Sequence, residues 1–306
     1  MTPTLKRFSF KAMGSYCEIQ IYDNSRISAK EKTKRLANEV NRLEKKYSRY
    51  SQSSIIAEIN SAAGAKLGIK LDKETSALFD HAQRCYEQSD GLFDITSGIL
   101  REVWDFQSGE IPSQQDIDKR LEFIGFDKLE RRQSRLIMPK FMEIDLGGIV
   151  KEYAADAAAN LGRSLGIEHG LVNLGGDFAV IGPQPDNQPW TIGVANPKQP
   201  SQLMAKIDLL EGGLASSGDY ERCFIHQGKR YSHILNPLTG WPSDGLRAVS
   251  VAANLCTVAG SLSTIAMLKA EPESIAYLAD IGLPHVYMDS NESVEGQGLN
   301  NDTVHS

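Results

Sequence analysis

Glu143-Ile144-Asp145-Leu146-Gly147-Gly148-Ile149-Val150-Lys151-Glu152-Tyr153-Ala154-Ala155-Asp156 is the stretch on which the reading of this chain turns. It reads as an apolar-flanked strand, a Gly-Gly turn, and an alanine-rich helix opening directly from that turn. Glycines let a backbone approach a ligand closely, and a helix start presents unpaired N–H groups and the positive end of the dipole. A phosphate group suits such a place. Lys151, three residues beyond Gly148, falls about one turn into the helix and can add a full charge beside those amides. A strand–Gly-Gly–helix turn more commonly serves packing alone, so spacing by itself leaves both readings open. The stretch is neither G-x-G-x-x-G nor a phosphate loop ending in Gly-Lys-Ser/Thr, and it implies no standard nucleotide fold.

The 306 residues allow one large domain or two closely packed ones, and 41% hydrophobic with 24% charged residues is ordinary for a globular protein. A net charge of -6 argues against a nucleic-acid surface, which gathers basic residues. The longest apolar runs, such as residues 248–253, fall far short of a bilayer span. The first residues lack the apolar core and cleavage site of a secretory signal and show no lipoprotein signal, giving the expectation of a cytoplasmic protein. Cys17, Cys85, Cys223 and Cys256 are isolated, share no metal-ligand spacing and read as reduced thiols.

Residues 7–22 alternate as strands broken at Met13-Gly14-Ser15, and residues 28–47 predict an amphipathic helix with Leu36, Val40 and Leu43 inward. A short serine-capped helix follows near 53–60, then helices over 74–88 and 114–124. A strand pair is expected over 136–146, leading into the helix at about 148–165. Leu171-Val172-Asn173-Leu174-Gly175-Gly176-Asp177 repeats the strand-then-Gly-Gly theme. Strands are expected near 189–195, 203–210, 222–226 and 246–253, helices over 257–269 and 272–281. Ser216-Ser217-Gly218-Asp219-Tyr220 reads as a polar turn and residues 233–242 as a loop rich in breakers. No linker divides the chain. The prediction is one compact α+β unit over 1–290 with two lobes and a disordered polar tail over 291–306. A ligand is expected in the cleft between the Gly-Gly helix and the β-rich third.

Taken together and in order, these segments resemble the ApbE-type FAD:protein FMN transferases over about residues 10–285. The resembling pieces are Met13-Gly14-Ser15, Tyr47-Ser48-Arg49-Tyr50, the turn 91–98 (Gly-Leu-Phe-Asp-Ile-Thr-Ser-Gly), the stretch 144–151, Val172 through Asp177, Ala215 through Tyr220, residues 233–240 and Ala259-Gly260-Ser261-Leu262-Ser263-Thr264. The resemblance implies a T-fold-like unit of antiparallel sheets flanked by helices. It implies an enzyme that binds FAD with Mg²⁺ at the pyrophosphate, moves FMN onto a threonine or serine of a target flavoprotein, and releases AMP. By position, Met13, Tyr50, Asp94, Lys151 and Ile234 would line the FAD site, and the carbonyl of Gly148 would be a metal ligand. Met13, Tyr50 and Ile234 equally suit core packing, and Asp94 a turn cap. Phosphoryl transfer needs charge neutralisation and in-line positioning more than covalent help. His233 can orient a phosphate or handle a proton, or serve as a structural histidine. Asp219 can accept the attacking hydroxyl's proton or cap its turn.

The family usually carries Ala-Asp-Ala-Leu-Ser/Ala-Thr on the helix after the last long strand, with Asp and Thr one turn apart on one face. Here Gly260 stands in place of the Asp while Thr264 stays, so a metal held at Gly148, Gly260 and Thr264 keeps a carbonyl and a hydroxyl and loses its charged oxygen. Gly inside a helix costs about 1 kcal/mol against Ala, an odd substitute on packing grounds. Glu152 is a second departure, since glycine is common after the lysine. Three readings stay open: another acid such as Asp219 or Asp177 holds the metal; the protein binds FAD without turning it over; or the chain is an altered form of an active enzyme.

Overall fold

The computed structural model describes residues 2–199, 201–220 and 223–299. Strands β1 (Thr4–Ala12) and β2 (Ser15–Asp23) form a hairpin whose two turn residues, Met13 and Gly14, both have positive φ, at 52° and 71°. That pairing matches the right-handed twist of the strands, at the strain of holding a methionine there. Helix α1 (Arg26–Tyr47) starts at Ser25, whose hydroxyl accepts from the Ser28 amide, and buries Ala29, Thr33, Leu36, Val40, Leu43 and Tyr47 at helical spacing. Then come α2 (Ile55–Ser61), capped by Ser54, the short β3 (Ile69–Lys70), and α3 (Lys73–Gln88), capped by Asp72. Helix α4 (Gln114–Leu121) and strands β4 (Glu130–Arg132) and β5 (Arg135–Ile137) complete the first half.

The second half runs α5 (Val150–Ser164), β6 (Gly170–Leu174), β7 (Asp177–Gly182), β8 (Trp190–Ala195), β9 (Leu203–Leu209) and β10 (Gly213–Gly218). It continues with β11 (Cys223–His226), β12 (Lys229–Ser232), β13 (Ala248–Ala253), α6 (Cys256–Leu268), α7 (Glu271–Ile281), β14 (His285–Met288) and β15 (Val294–Gln297). Among the described residues the main sheet has eight strands in the order β1-β2-β6-β7-β10-β13-β14-β15, antiparallel at every pairing. Helices α1, α5 and α6 cover one face, burying Ile19, Val172, Ala179 and Ala215 against Leu36, Ala155 and Ala259. The β8–β9 ribbon covers part of the other face, where Trp190, Ile192 and Ile207 meet Leu171, Val180 and Leu214. A separate aromatic cluster around Trp104, Phe106, Phe224, Tyr231 and Trp241 joins the segment near α4 to the β11–β12 hairpin.

Several sequence expectations change. The approach to α5 is irregular chain and not a strand: β5 ends at Ile137, and α5 begins at Val150, two residues beyond Gly148. The strand-then-Gly-Gly theme does recur at Gly175-Gly176, but there both glycines adopt positive φ (65° and 96°) and reverse the chain from β6 to β7, unlike Gly147-Gly148. Residues 216–218 are not a turn but the end of β10, a central strand between β7 and β13. The expected disordered tail is, over Val294–Gln297, the edge strand β15 paired with β14; residues 300–306 lie outside the described residues. All four cysteines are free thiols. Among the described residues no helix is long and apolar enough to cross a membrane.

Candidate active site

A cavity of about 920 Å³ opens between the start of α5 and the strands β10 and β13, near the upper end of the range for ligand pockets. It lies where the cleft was expected. Eight of the predicted site residues line it: Met13, Tyr50, Asp94, Gly148, Lys151, His233, Ile234 and Thr264. Asp219 and Gly260 do not line it, although Gly218, Tyr220 and Glu152 beside them do.

The mouth is formed at Gly147 and Gly148, both exposed. Neither has positive φ, and a side-chain carbon at Gly148 would meet only Phe93 Cζ at 3.7 Å, an ordinary contact. Backbone conformation and packing thus leave Gly148 free to carry a side chain, and what its absence provides is an open approach. The mouth is braced from below. Asp145 Oδ1 accepts from the Gly147 amide at 2.8 Å, and Asp145 Oδ2 accepts from Arg49 Nη1 at 2.5 Å. Arg49 also donates to the Tyr50 hydroxyl at 2.9 Å and stacks on its ring, so the largely exposed Tyr50 is held at the rim. Arg49 and Asp145 are positioning residues whose pairing sequence spacing did not reveal.

Met13 is pinned by its own amide, which donates to Glu44 Oε1 at 2.7 Å. Asp94 is a turn cap as well as a lining residue: Oδ1 accepts from the Thr96 amide and hydroxyl, each at 2.7 Å, and Oδ2 from the Phe126 amide at 2.9 Å. Burial raises its carboxyl above the ordinary range against the lowering effect of those donors. His233 and Ile234 are presented by a tight loop in which Ser243 donates its amide to the Ile234 carbonyl and Asn236 Oδ1 accepts from the amides of Leu238 and Thr239. Asp219 is engaged by two guanidinium groups, Arg230 Nε at 2.9 Å and Arg247 Nη1 at 3.2 Å.

Beneath the mouth, Lys151 Nζ lies 2.9 Å from Oδ2 of the buried Asp177. The Glu152 carboxyl is buried beside Asp177, and both are raised: desolvation disfavours the charged forms, and for Glu152 the neighbouring Asp177 charge adds to it. Glu152 Oε2 has no hydrogen-bond partner among the described residues. Thr264 Oγ1 is 3.2 Å from Ser217 Oγ across the cavity wall. Among the described residues no three His, Cys, Asp or Glu side chains form a ready metal group. The oxygens available are thus a mixed set of carbonyl, hydroxyl and carboxylate, of the kind hard dications accept.

The comparisons with known proteins agree on one family. The chain is 28% identical over 273 residues to the FAD:protein FMN transferase of Haemophilus influenzae, covering 84% of this chain and 78% of that one. To the Vibrio cholerae protein of the same name it is 29% identical over 252 residues, covering 79% and 73%. Among solved structures, the ApbE protein of Thermotoga maritima superposes with a TM-score of 0.87 at 29% identity, covering 96% of this chain and 97% of that one. Apo ApbE from Pseudomonas stutzeri, a flavinyl transferase, shares the fold at a TM-score of 0.85 and 24% identity, covering 100% and 98%. The sequence model of the ApbE family itself matches residues 13–286, and the chain belongs to the ApbE family.

Proposed function

We propose that this protein is an FAD:protein FMN transferase. FAD lies in the cavity with its diphosphate at the Gly147-Gly148 mouth, and the flavin phosphate is moved to the hydroxyl of a threonine or serine on a target flavoprotein. The bond formed is between the acceptor oxygen and the flavin-side phosphorus. The bond broken is the phosphoanhydride, AMP leaves with the bridging oxygen, and the hydroxyl proton is released. The observation that carries this reading is the mouth itself: a glycine that neither backbone nor packing requires, exposed at the start of α5 and set over Lys151.

The chain's own groups support each requirement of such a transfer. Amides at the start of α5 and the Lys151 ammonium offer positive charge to the diphosphate. Exchange of Asp177 for phosphate oxygens as the partner of Lys151 couples ligand binding to the base of the site. Tyr50, held by Arg49, closes the rim, and His233 lines the same cavity, where it can orient a phosphate or take the proton. Asp219, held between Arg230 and Arg247, fixes the turn carrying Tyr220. The Gly148 carbonyl and Thr264 hydroxyl are oxygens suited to Mg²⁺. When bound there, the ion would neutralise charge on the diphosphate.

The test incubates the protein with FAD, Mg²⁺ and an acceptor domain carrying a flavinylation threonine, reading in-gel flavin fluorescence and AMP release. Labelling with matching AMP supports the proposal. FAD that binds and stays intact, with no labelled acceptor, points to a flavin-holding homologue. Failure to bind FAD ends the reading.

A further inference from the structure

The two places where this chain departs from its family pattern, Glu152 and Gly260, touch each other in the fold. Asp156, one turn beyond Glu152 on α5, caps the start of α6: its carboxylate accepts from the Cys256 amide, and from the Thr257 amide and hydroxyl, at 2.9, 2.9 and 2.6 Å. This cap fixes the register of the two helices, which run in opposite directions. One turn back along α5 and one turn on along α6, Glu152 meets Gly260. An ideal Cβ at Gly260 would lie 2.5 Å from Glu152 Cγ, 3.0 Å from Cδ and 3.2 Å from Oε1. Side chains in these positions at 152 and 260 exclude one another. The glycine on the buried face of α6 is therefore explained by the glutamate.

The Glu152 carboxyl keeps one oxygen that the protein does not engage. Its Oε2 is buried and without a hydrogen-bond partner among the described residues. Its neighbour Asp177 has Lys151 at 2.9 Å, the Ser216 amide at 3.3 Å and the Glu152 carboxyl itself as partners, so a single ammonium serves two adjacent buried carboxyls. Two such carboxyls are both charged only when a further cation completes them; without one, a proton is kept instead. The other candidate acid, Asp219, is already held by two arginines and lies off the cavity. Glu152, Gly148 and Thr264 line the same cavity, Thr264 one turn beyond Gly260 on α6.

We infer that Glu152 is this chain's charged ligand for a divalent cation, delivered from α5 into the space that Gly260 leaves open on α6. The site has moved its carboxylate from one helix to the facing one and has not lost it. The inference rests on the proposed reading of the cavity as an FAD and metal site.

The test separates the two. FAD affinity is measured by flavin fluorescence quenching in EDTA, and cation affinity by titrating Mn²⁺ into the FAD-loaded protein and following the free-ion EPR signal. Wild type, Glu152→Gln, Gly260→Asp and the exchange double variant Glu152→Gly/Gly260→Asp are compared, with Tm for each. Glu152→Gln is expected to weaken Mn²⁺ binding by at least the roughly 10–100-fold that loss of an outer partner costs a metal site, while FAD still binds in EDTA. Gly260→Asp alone crowds Glu152 and lowers Tm; the exchange variant recovers both Tm and Mn²⁺ affinity, a non-additivity that a merely structural role would not produce. The inference is overturned if FAD-loaded wild type takes up no Mn²⁺, if Glu152→Gln binds Mn²⁺ like wild type, or if the folded, FAD-binding exchange variant fails to recover the ion. Absence of FAD binding by wild type would instead strike the functional proposal.

Discussion

Lys151 Nζ sits 2.9 Å from Asp177 Oδ2, tying the first turn of α5 to the start of the central strand β7. The lysine side chain is partly exposed to the cavity, at 29%, while the aspartate is buried, at 1%. The pair thus joins a buried carboxyl to an ammonium that also lines the cavity. Removing Lys151 strands a buried carboxylate, and removing both partners does not.

Lys151→Met is expected to lower Tm and weaken FAD binding, whereas Lys151→Met/Asp177→Asn regains much of the Tm without regaining FAD. Breaking one side of such a pair costs up to about 3–5 kcal/mol when it is fully buried, and less here because the lysine is partly hydrated. Thermal unfolding and flavin fluorescence titration of the single and double variants check this. Equal Tm losses in the single and double variants would refute the pairing argument.

Gly148→Ala is expected to leave stability within about 0.5 kcal/mol of wild type, since the residue has no positive φ and a methyl would make only an ordinary contact with Phe93. FAD affinity should nevertheless fall, because the methyl intrudes on the approach to the diphosphate. Calorimetric titration with FAD decides the matter; unchanged affinity would place the diphosphate away from this mouth.

Asp156→Ala removes three hydrogen bonds to the start of α6. A lost cap costs about 0.5–2 kcal/mol, and burial of the orphaned amides adds to it. Tm should drop, and Asp156→Asn, which keeps an acceptor, should drop less. Denaturant unfolding of the two variants measures the difference.

Glu74 on α3 accepts from Arg42 and Lys46 of α1 and from Tyr153 of α5, which holds its carboxyl at about 2, below the ordinary 4.5, Arg42 being the largest cause. A group depressed in the folded state stabilises above its unfolded value and loses that contribution as pH falls toward the folded one. Stability should therefore decline between about pH 4.5 and about pH 2. Glu74→Gln should be less stable at neutral pH and show a flatter acid limb in Tm against pH. A wild-type acid limb unchanged by the substitution would assign the acid sensitivity elsewhere.

Local patterning was legible wherever a segment carries its own instructions. The stripe Leu36, Val40, Leu43 predicts α1, Ser54 caps α2 where expected, and the alternation on either side of Met13-Gly14 gives the first hairpin. It failed over 138–146, where Met142, Ile144 and Leu146 alternate inward but no strand pairs with them, and at 216–218, where small and polar residues give no period and β10 is a strand because β7 and β13 flank it. The lining residues Met13, Tyr50, Asp94, Lys151, His233, Ile234 and Thr264 were nameable because they sit in the short contiguous motifs that carry the family resemblance. Arg49 with Asp145 was not, because a brace between distant loops leaves no spacing to read.

What the sequence determined by itself is the family and most of the order of elements, and the resemblance marks two residues, Glu152 and Gly260, as departures. Taken alone, Gly260 reads as a missing ligand. Only the tertiary structure, through the Asp156 cap that sets α5 against α6, shows that the carboxylate at 152 fills the space the glycine leaves. The reason is physical: a helix periodicity tells which residues share a face, but which face of which helix it meets is decided by the packing of the whole chain.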